Sequence, residues 1–195
     1  MKSKIRKGLT GITIVMLAVV TIATAQDTKK LTLDNYSLKM KGTSNVHDWT
    51  MEAEKVSAAA DAVLNSASLK DFNNATVTVK VEEIESGKRI MNNKTYDALE
   101  SDDHPNITYT LKSVKDLYSA GKRFSGKAIG SLTIAGKTNT VTIPFQGKVT
   151  HDGIVISGDY SLEMTEYNID PPTAMLGSLT TGNEVTIVYE FTFKQ

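Results

Sequence analysis

The side chains best suited to chemistry in this sequence are three histidines, each beside at least one aspartate. They form the groups His47-Asp48, Asp102-Asp103-His104 and His151-Asp152. An imidazole next to a carboxylate is a candidate general acid or base, and both groups bind metal ions. None of the three groups has the i, i+4 spacing of the helical zinc-protease motif.

Two of the histidines are interpreted as solvated turn residues, since His104 ends a predicted helix and His151 lies in a predicted surface hairpin. His47 lies two residues before Trp49, the only tryptophan of the chain. A tryptophan joins a large apolar body to a single N–H donor, so it is often found where the chain passes from surface to core. A structural role for His47, bonded to backbone and bracing this turn with Asp48, is favoured over a catalytic one.

Other reactive groups are missing from the sequence. It contains no cysteine, which excludes disulfides, thiol nucleophiles and thiolate zinc sites. It also lacks the Gly-x-Ser-x-Gly, Gly-x-Gly-x-x-Gly and phosphate-loop motifs. The sequence therefore predicts no catalytic residue, no metal site and no cofactor. An enzyme using His47 is the least favoured hypothesis.

Methionines and aromatic residues are the more informative side chains. Several of them lie in or beside apolar faces: Met40, Met51, Met91, Met164 and Met175, with Trp49, Tyr109, Phe124 and Phe145. Flexible thioethers suit a cavity that accepts a long apolar ligand, and they also fill irregular cores. The pattern alone slightly favours the filled core.

The first 25 residues have the features of a secretory signal peptide. A basic segment with four Lys or Arg residues precedes an uncharged run of 16 residues, Gly8–Ala23, and a small-x-small site ends at Ala25. The run is shorter than the ~20 residues needed to cross a bilayer. Cleavage after Ala25 is predicted, giving a periplasmic or secreted protein without a transmembrane anchor.

The remaining 170 residues are enough for one domain with a sizeable core. The signal segment contains four of the 22 basic residues and none of the 22 acidic ones, so the mature chain has a net charge of −4. That charge does not indicate a nucleic-acid partner. Residues 26–30 are polar and are predicted to be a disordered tail, which leaves 31–195 as the domain.

Apolar residues alternate with polar ones over most of this domain, as in half-buried strands. In the last segment Val185, Ile187, Tyr189, Phe191 and Phe193 fall on one face. Turn signals at 135–137 and 151–153 separate the later strands, and the Asp-Gly of the second is expected to supply a positive φ. The alanine-rich segment 53–64 is compatible with a short helix or with a strand and loop.

One helix is predicted at residues 91–101, where Met91, Thr95 and Leu99 recur at helical spacing, with Asn92 or Asn93 as its N-cap. About eight strands joined by hairpin turns, with this one helix, favour an all-β antiparallel barrel or sandwich. The interior of an eight-stranded barrel is either filled by side chains or just wide enough for one small ligand.

Five segments, in order and spacing, resemble the YceI-like family of secreted lipid-binding proteins. They are residues 42–49, 91–100, 104–109, 130–138 and 164–172 followed by Gly177, and the resemblance covers roughly residues 31–195. It implies a single extended lipocalin-like antiparallel barrel that binds polyisoprenoid or other amphiphilic lipids in an apolar channel. Relatives often form dimers, so a homodimer is a further expectation.

If the interior is a channel, nine residues are the candidates for its lining: Trp49, Met51, Met91, Leu99, Tyr109, Phe124, Phe145, Met164 and Met175. The sequence departs from many relatives by lacking an arginine-aspartate pair at Met91-Asn92 and an arginine within 163–169. A fatty acid, quinone or neutral isoprenoid therefore fits better than a prenyl pyrophosphate. Lys88 and Arg89 are possible substitutes, but exposed loop positions are favoured for them.

Two functions follow as leading hypotheses. The first is a non-enzymatic exported carrier or sequestering protein for a long-chain amphiphilic lipid, namely an isoprenoid, quinone or fatty acid. The second is a structural or interaction barrel with a filled core and a protein partner. They differ in whether the barrel interior is open.

Overall fold

Eleven strands, one α-helix and three short 3₁₀ helices make up the regular structure in residues 27–65 and 68–195, the part that the computed structural model describes. The strands are β1 (Asp27–Ser44), β2 (Trp49–Ala53), β3 (Val56–Asn65), β4 (Ser68–Lys80), β5 (Ile84–Glu85), β6 (Asn106–Ala120), β7 (Arg123–Ile134), β8 (Lys137–Val149), β9 (Gly153–Glu163), β10 (Thr173–Ala174) and β11 (Leu179–Lys194). The helix α1 (Arg89–Ala98) lies between β5 and β6. The proposed signal peptide lies outside the described residues, as does the side chain of Met175.

Eight of the strands form a closed antiparallel barrel. The order is β11, β9, β8, β7, β6, β4, β3 and β1, and the pairing of β1 with β11 completes the ring. This pairing runs from Thr32 opposite Lys194 to Ser44 opposite Thr181. The short strands β2, β5 and β10 extend the sheet at one end. The fold prediction, an antiparallel barrel of about eight strands with one short helix, is confirmed.

The alternation of residue types along the strands determines which side chains point inward. On β11 the predicted face, from Val185 to Phe193, lines the interior cavities of the barrel. Its alternate residues, among them Thr186, Glu190 and Lys194, pair at the outer surface or are exposed to solvent. A period of two is therefore enough to orient a strand in a closed barrel, because each strand has only an inner and an outer face.

Two details of the predicted strands need correction. Residues 27–30 are not a tail, because β1 begins at Asp27 and its first residues pair with β3, as in Asp27 opposite Leu64. This segment is polar because most of its side chains are exposed at the end of a strand, and not because it lacks structure. The ambiguous segment 53–64 forms the end of β2 and most of β3, with no helix.

The turns also differ in part from expectation. The turn at Ala135-Gly136 has positive φ at both residues, 44° and 72°, as expected of a tight hairpin. The hairpin before β9 is present, but Gly153 has no positive φ. A Cβ at Gly153 would lie 1.9 Å from the carbonyl oxygen of Phe193, so close approach to β11 explains the glycine.

Aromatic rings lie against glycines of neighbouring strands at five places on the barrel wall. The pairs are Trp49 with Gly42, Tyr109 with Gly130, Phe145 with Gly126, Phe124 with Gly147 and Tyr189 with Gly158. In each pair a Cβ on the glycine would come within 2.1–2.8 Å of the ring or its hydroxyl. The missing side chain lets the ring lie along the wall, which reduces how far it extends into the interior.

One end of the barrel is closed by a cluster of phenylalanines. Phe72, Phe124 and Phe145 contact one another edge to face, with ring centroids 6.1–6.3 Å apart. All three are at least 93% buried. Edge-to-face packing satisfies the ring quadrupoles as well as removing apolar surface from water. We call this cluster the phenylalanine plug.

Candidate functional site

The barrel interior is open rather than filled. A large cavity of about 750 Å³ lies at the end of the barrel that α1 covers. A smaller cavity of about 180 Å³ lies between it and the phenylalanine plug. Ile107 and Ile187 line both cavities and therefore mark the boundary between them. The larger volume falls within the ~300–1,000 Å³ typical of small-molecule sites.

Five of the nine predicted lining residues face the large cavity: Trp49, Met51, Met91, Leu99 and Met164. Tyr109 and Phe145 face the small cavity instead. Phe124 lines neither of these two cavities and belongs instead to the phenylalanine plug. Met175 has no described side chain, so its place in the lining stays a prediction.

The segment from Gly42 to Trp49 forms one edge of the large cavity's mouth. Trp49 lies opposite Gly42 across the β1–β2 pair, and its indole nitrogen donates to the carbonyl oxygen of Thr43 at 3.0 Å. A Cβ on Gly42 would lie 2.1 Å from the indole ring, so the glycine makes room for it. The ring is thereby fixed with one side toward the cavity.

His47 lies at the same edge and also lines the mouth, while Asp48 does not. The Nδ1 of His47 donates to the carbonyl oxygen of Asp48 at 3.0 Å, and the hydroxyl of Ser44 donates to the carbonyl oxygen of His47 at 2.7 Å. These bonds hold the turn. No Asp or Glu side chain lines the large cavity in the described residues, so the geometry offers His47 no carboxylate partner there.

The helix α1 contributes another part of the wall of the large cavity. Its Thr95 hydroxyl lies 3.3 Å from the sulfur of Met51, which brings the helix against β2. The side chain of Lys94 donates to the carbonyl oxygen of Thr173 at 2.8 Å, which joins the helix to β10. Both contacts join α1 to strands at this end of the barrel, so they fix the position of this part of the cavity wall.

A buried polar group anchors the start of α1. Asn92 is 7% exposed, and its carbonyl oxygen accepts from the backbone nitrogen of Ser86 at 2.9 Å and from the Ser86 hydroxyl at 2.7 Å. Its amide nitrogen donates to Glu85, whose other oxygen accepts from the hydroxyl of Tyr96 at 3.1 Å. Asn92 is thus not the N-cap that the sequence predicted. Lys88 occupies that position without a side-chain capping bond.

Sequence reasoning missed the basic character of the mouth. Lys88, Arg89 and Lys94 all line the large cavity, and none has an ion-pair partner within 4 Å among the described residues. The sequence favours exposed loop positions for Lys88 and Arg89. Both residues are exposed, but they lie at the start of α1, which borders the cavity, and not in a loop. The sequence does indicate this basic character, because three cations fall within the seven residues 88–94, where a helix is predicted to begin.

Three tyrosines, Tyr109, Tyr160 and Tyr189, line the small cavity and give it a limited polar character. The hydroxyl of Tyr189 donates to the carbonyl oxygen of Pro144 at 2.9 Å, whereas the buried hydroxyl of Tyr109 has no hydrogen-bond partner among the residues that the structure describes. Burial raises the pKa of Tyr109 to about 12, so it is a neutral donor at physiological pH. Burial also raises the pKa of Tyr189, with smaller contributions from Tyr109 and Asp159.

Two absences complete the description of residues 27–65 and 68–195. No group of three His, Cys, Asp or Glu side chains there is placed to hold a metal ion. No helix in the same part of the chain has both the length and the apolar character required to cross a membrane.

The chain is similar in sequence to one protein family and in fold to several solved structures. The sequence model described as the YceI-like domain matches residues 19–193. No curated protein matches the sequence. Among solved structures, BcnA of Burkholderia cenocepacia is 18% identical, with 80% of this chain and 94% of that chain covered and a TM-score of 0.65.

Two other solved structures are similar. One is a polyisoprenoid binding domain from Saccharophagus degradans implicated in plant cell wall breakdown, 13% identical, with 87% of this chain and 99% of that chain covered and a TM-score of 0.65. The other is the YCEI protein of Campylobacter jejuni, 18% identical, with 74% of this chain and 84% of that chain covered and a TM-score of 0.60. At these identities the likeness shows the fold alone.

The anchoring role of Asn92 leads to a first prediction. Asn92→Ala removes the partner of the Ser86 nitrogen and of Glu85, and a buried group left without a partner costs about 1–3 kcal/mol. We expect the free energy of unfolding, measured by urea denaturation, to fall by about 2 kcal/mol.

The adjacent Asn93 is exposed, which makes Asn93→Ala the matched control. Its effect should stay within about 0.5 kcal/mol, as for most surface substitutions. Equal effects of the two substitutions would contradict the anchoring role.

Proposed function

Since the chain belongs to the YceI-like family, we propose that it is a non-enzymatic carrier that holds a long-chain amphiphilic lipid in the large cavity. The observation that carries the proposal is the cavity itself, about 750 Å³ in volume and lined mainly by aliphatic and methionine side chains. Apolar burial there would supply affinity at ~25 cal/mol per Å², less the cost of ordering the ligand. The small cavity extends the space available to an apolar tail beyond Ile107 and Ile187.

Membership of the family and the barrel fold support lipid binding in general. The location of the protein and the class of lipid need further arguments. The predicted signal peptide favours a periplasmic or exported protein that carries the lipid outside the cytoplasm. The solved relative from Saccharophagus degradans is described as a polyisoprenoid binding domain, which makes an isoprenoid one candidate for the tail. A quinone and a fatty acid are the others.

The charge of the mouth favours an anionic head group. Lys88, Arg89 and Lys94 border the opening, and the described lining includes no carboxylate. Lys88 and Arg89 also stand at the N-terminus of α1, where the partial positive charge of the helix favours anions. A fatty-acid carboxylate at the mouth, with its chain directed toward the small cavity, fits this arrangement better than a neutral quinone.

Trp49 provides a direct test of cavity occupancy, because it is the only tryptophan and its ring lines the large cavity. We expect the fluorescence of Trp49 to change in a saturable way when a long-chain fatty acid is titrated into delipidated protein. Ala98→Phe places a ring in the cavity wall and should raise the Kd at least tenfold.

The control for this experiment is Ala59→Phe, which adds the same ring at an exposed position of β3. This variant should bind fatty acid as the wild type does. A wild-type protein without any saturable response to fatty acids, quinones or polyprenols would refute the carrier proposal.

The role of the cations can be tested by comparing two probes that differ only in the charge of the head group, a fatty acid and the fatty alcohol of equal chain length. Lys94 uses one of its three donors on Thr173, and the others can reach a ligand at the mouth. Lys94→Gln should therefore weaken binding of a fatty acid about tenfold, since a hydrogen bond to a charged group contributes ~1.5–3 kcal/mol. Binding of the fatty alcohol of equal chain length should change little.

Lys112, which is remote from the cavity lining and bonds to Thr140, offers the matched control. Lys112→Gln should leave the affinity for both probes unchanged. A Lys94→Gln variant that loses equal affinity for acid and alcohol would show that the effect is structural rather than electrostatic.

A further inference from the structure

Exposed apolar side chains are concentrated around the mouth of the large cavity. Four large hydrophobic side chains are exposed in the described residues: Val46 (66%), Ile90 (76%), Tyr118 (68%) and Leu176 (108%). Ile90 lines the cavity itself, Val46 lies between the lining residues Ser44 and His47, and Leu176 lies two residues after the lining residue Ala174. Only Tyr118 is elsewhere, near the turn that joins β6 to β7 at the plugged end.

The backbone holds these side chains outward. The turn that carries Val46 is tied to the start of β11, since the Asn45 side chain donates to the carbonyl oxygen of Ser178 at 2.9 Å and accepts from the nitrogen of Thr180 at 3.0 Å. Leu176 has φ of 56°, a left-handed conformation that is uncommon for a branched residue. Packing within the chain does not explain a leucine that is both strained and fully exposed.

Cations accompany the apolar side chains. Lys88 and Arg89 directly precede Ile90, and the first turn of α1 contains no acidic residue. Positive charge at a helix N-terminus opposes the helix dipole, so helix stability does not account for these residues either. Residues 26–195 contain 18 basic and 22 acidic side chains, a net charge of −4, so the cations of the rim are a local feature.

We propose that the rim formed by Val46, Lys88, Arg89, Ile90 and Leu176 docks on the surface of an anionic lipid bilayer. Exposed apolar side chains beside Lys and Arg match the two parts of a bilayer surface, the acyl boundary and the negatively charged head groups. Docking in this orientation turns the mouth toward the membrane. The lipid then passes between bilayer and cavity without exposing its chain to water.

This inference rests on the proposed function, because it supplies the route by which the cargo enters, but its test does not depend on cargo. Docking is measured with delipidated protein by co-sedimentation with vesicles of phosphatidylcholine alone or mixed equally with phosphatidylglycerol. We expect binding to the mixed vesicles, much weaker binding to phosphatidylcholine, and a loss of binding as salt shortens the Debye length from ~10 Å at 0.1 M to ~3 Å at 1 M.

The decisive variant is Val46→Ser with Leu176→Ser, since neither side chain lines a cavity. We expect this double variant to lose at least tenfold in affinity for the mixed vesicles and to bind fatty acid in solution as the wild type does. Tyr118→Ser, which removes an equally exposed side chain from the opposite end of the barrel, should keep full vesicle affinity. Lys88→Gln with Arg89→Gln should abolish the preference for phosphatidylglycerol.

Each outcome separates the two proposals. Fatty-acid binding without vesicle binding would overturn the docking inference and leave the carrier proposal standing. Vesicle binding that the double variant retains would also overturn it, because docking would then not depend on the apolar side chains of the rim. Vesicle binding that depends on the rim, in a protein that binds no lipid in its cavity, would support docking and refute the carrier proposal.

Discussion

The pairing of β1 with β11 is the constraint on which the rest of the structure depends. It closes the barrel at eight strands and so limits the width of the interior. With the width fixed, the side chains at each level decide whether that level is solid or open. At the plugged end three phenylalanine rings pack against one another, and at the other end aliphatic and methionine side chains leave about 750 Å³ between them.

The helix α1 connects this interior to the outside. It lies over the open end, held by the buried Asn92 at its first turn and by Lys94 and Thr95 along its length. The same turn carries Lys88 and Arg89 at the mouth. Asn92 and Thr95 thus hold the helix against the β5 segment and β2, while Lys88 and Arg89 border the opening, and Lys94 does both. This division explains how one ten-residue helix can both form a cavity wall and provide a charged entrance.

Sequence patterns predicted the fold more fully than the site. A period of two assigns residues such as Ile187 and Tyr189 to the inner face, and hairpin turns with one short helix lead to an antiparallel barrel. The level of a residue along the barrel axis depends on the stagger between strands, which a local pattern does not contain. Phe124 and Phe145 therefore look alike in sequence. Both lie in the plug, but only Phe145 also lines the small cavity. The glycines opposite the aromatic rings, and Asn92 as an anchor rather than a cap, likewise depend on contacts between distant segments.

We propose that the large cavity holds a long-chain lipid. Native mass spectrometry of protein purified without detergent or organic solvent measures this occupancy directly. We expect a population heavier than the bare chain by the mass of one lipid, which extraction with organic solvent removes and identifies. We also expect that the stripped protein regains this added mass when incubated with a long-chain fatty acid. Protein found only at the mass of the bare chain, before and after such incubation, would contradict this proposal.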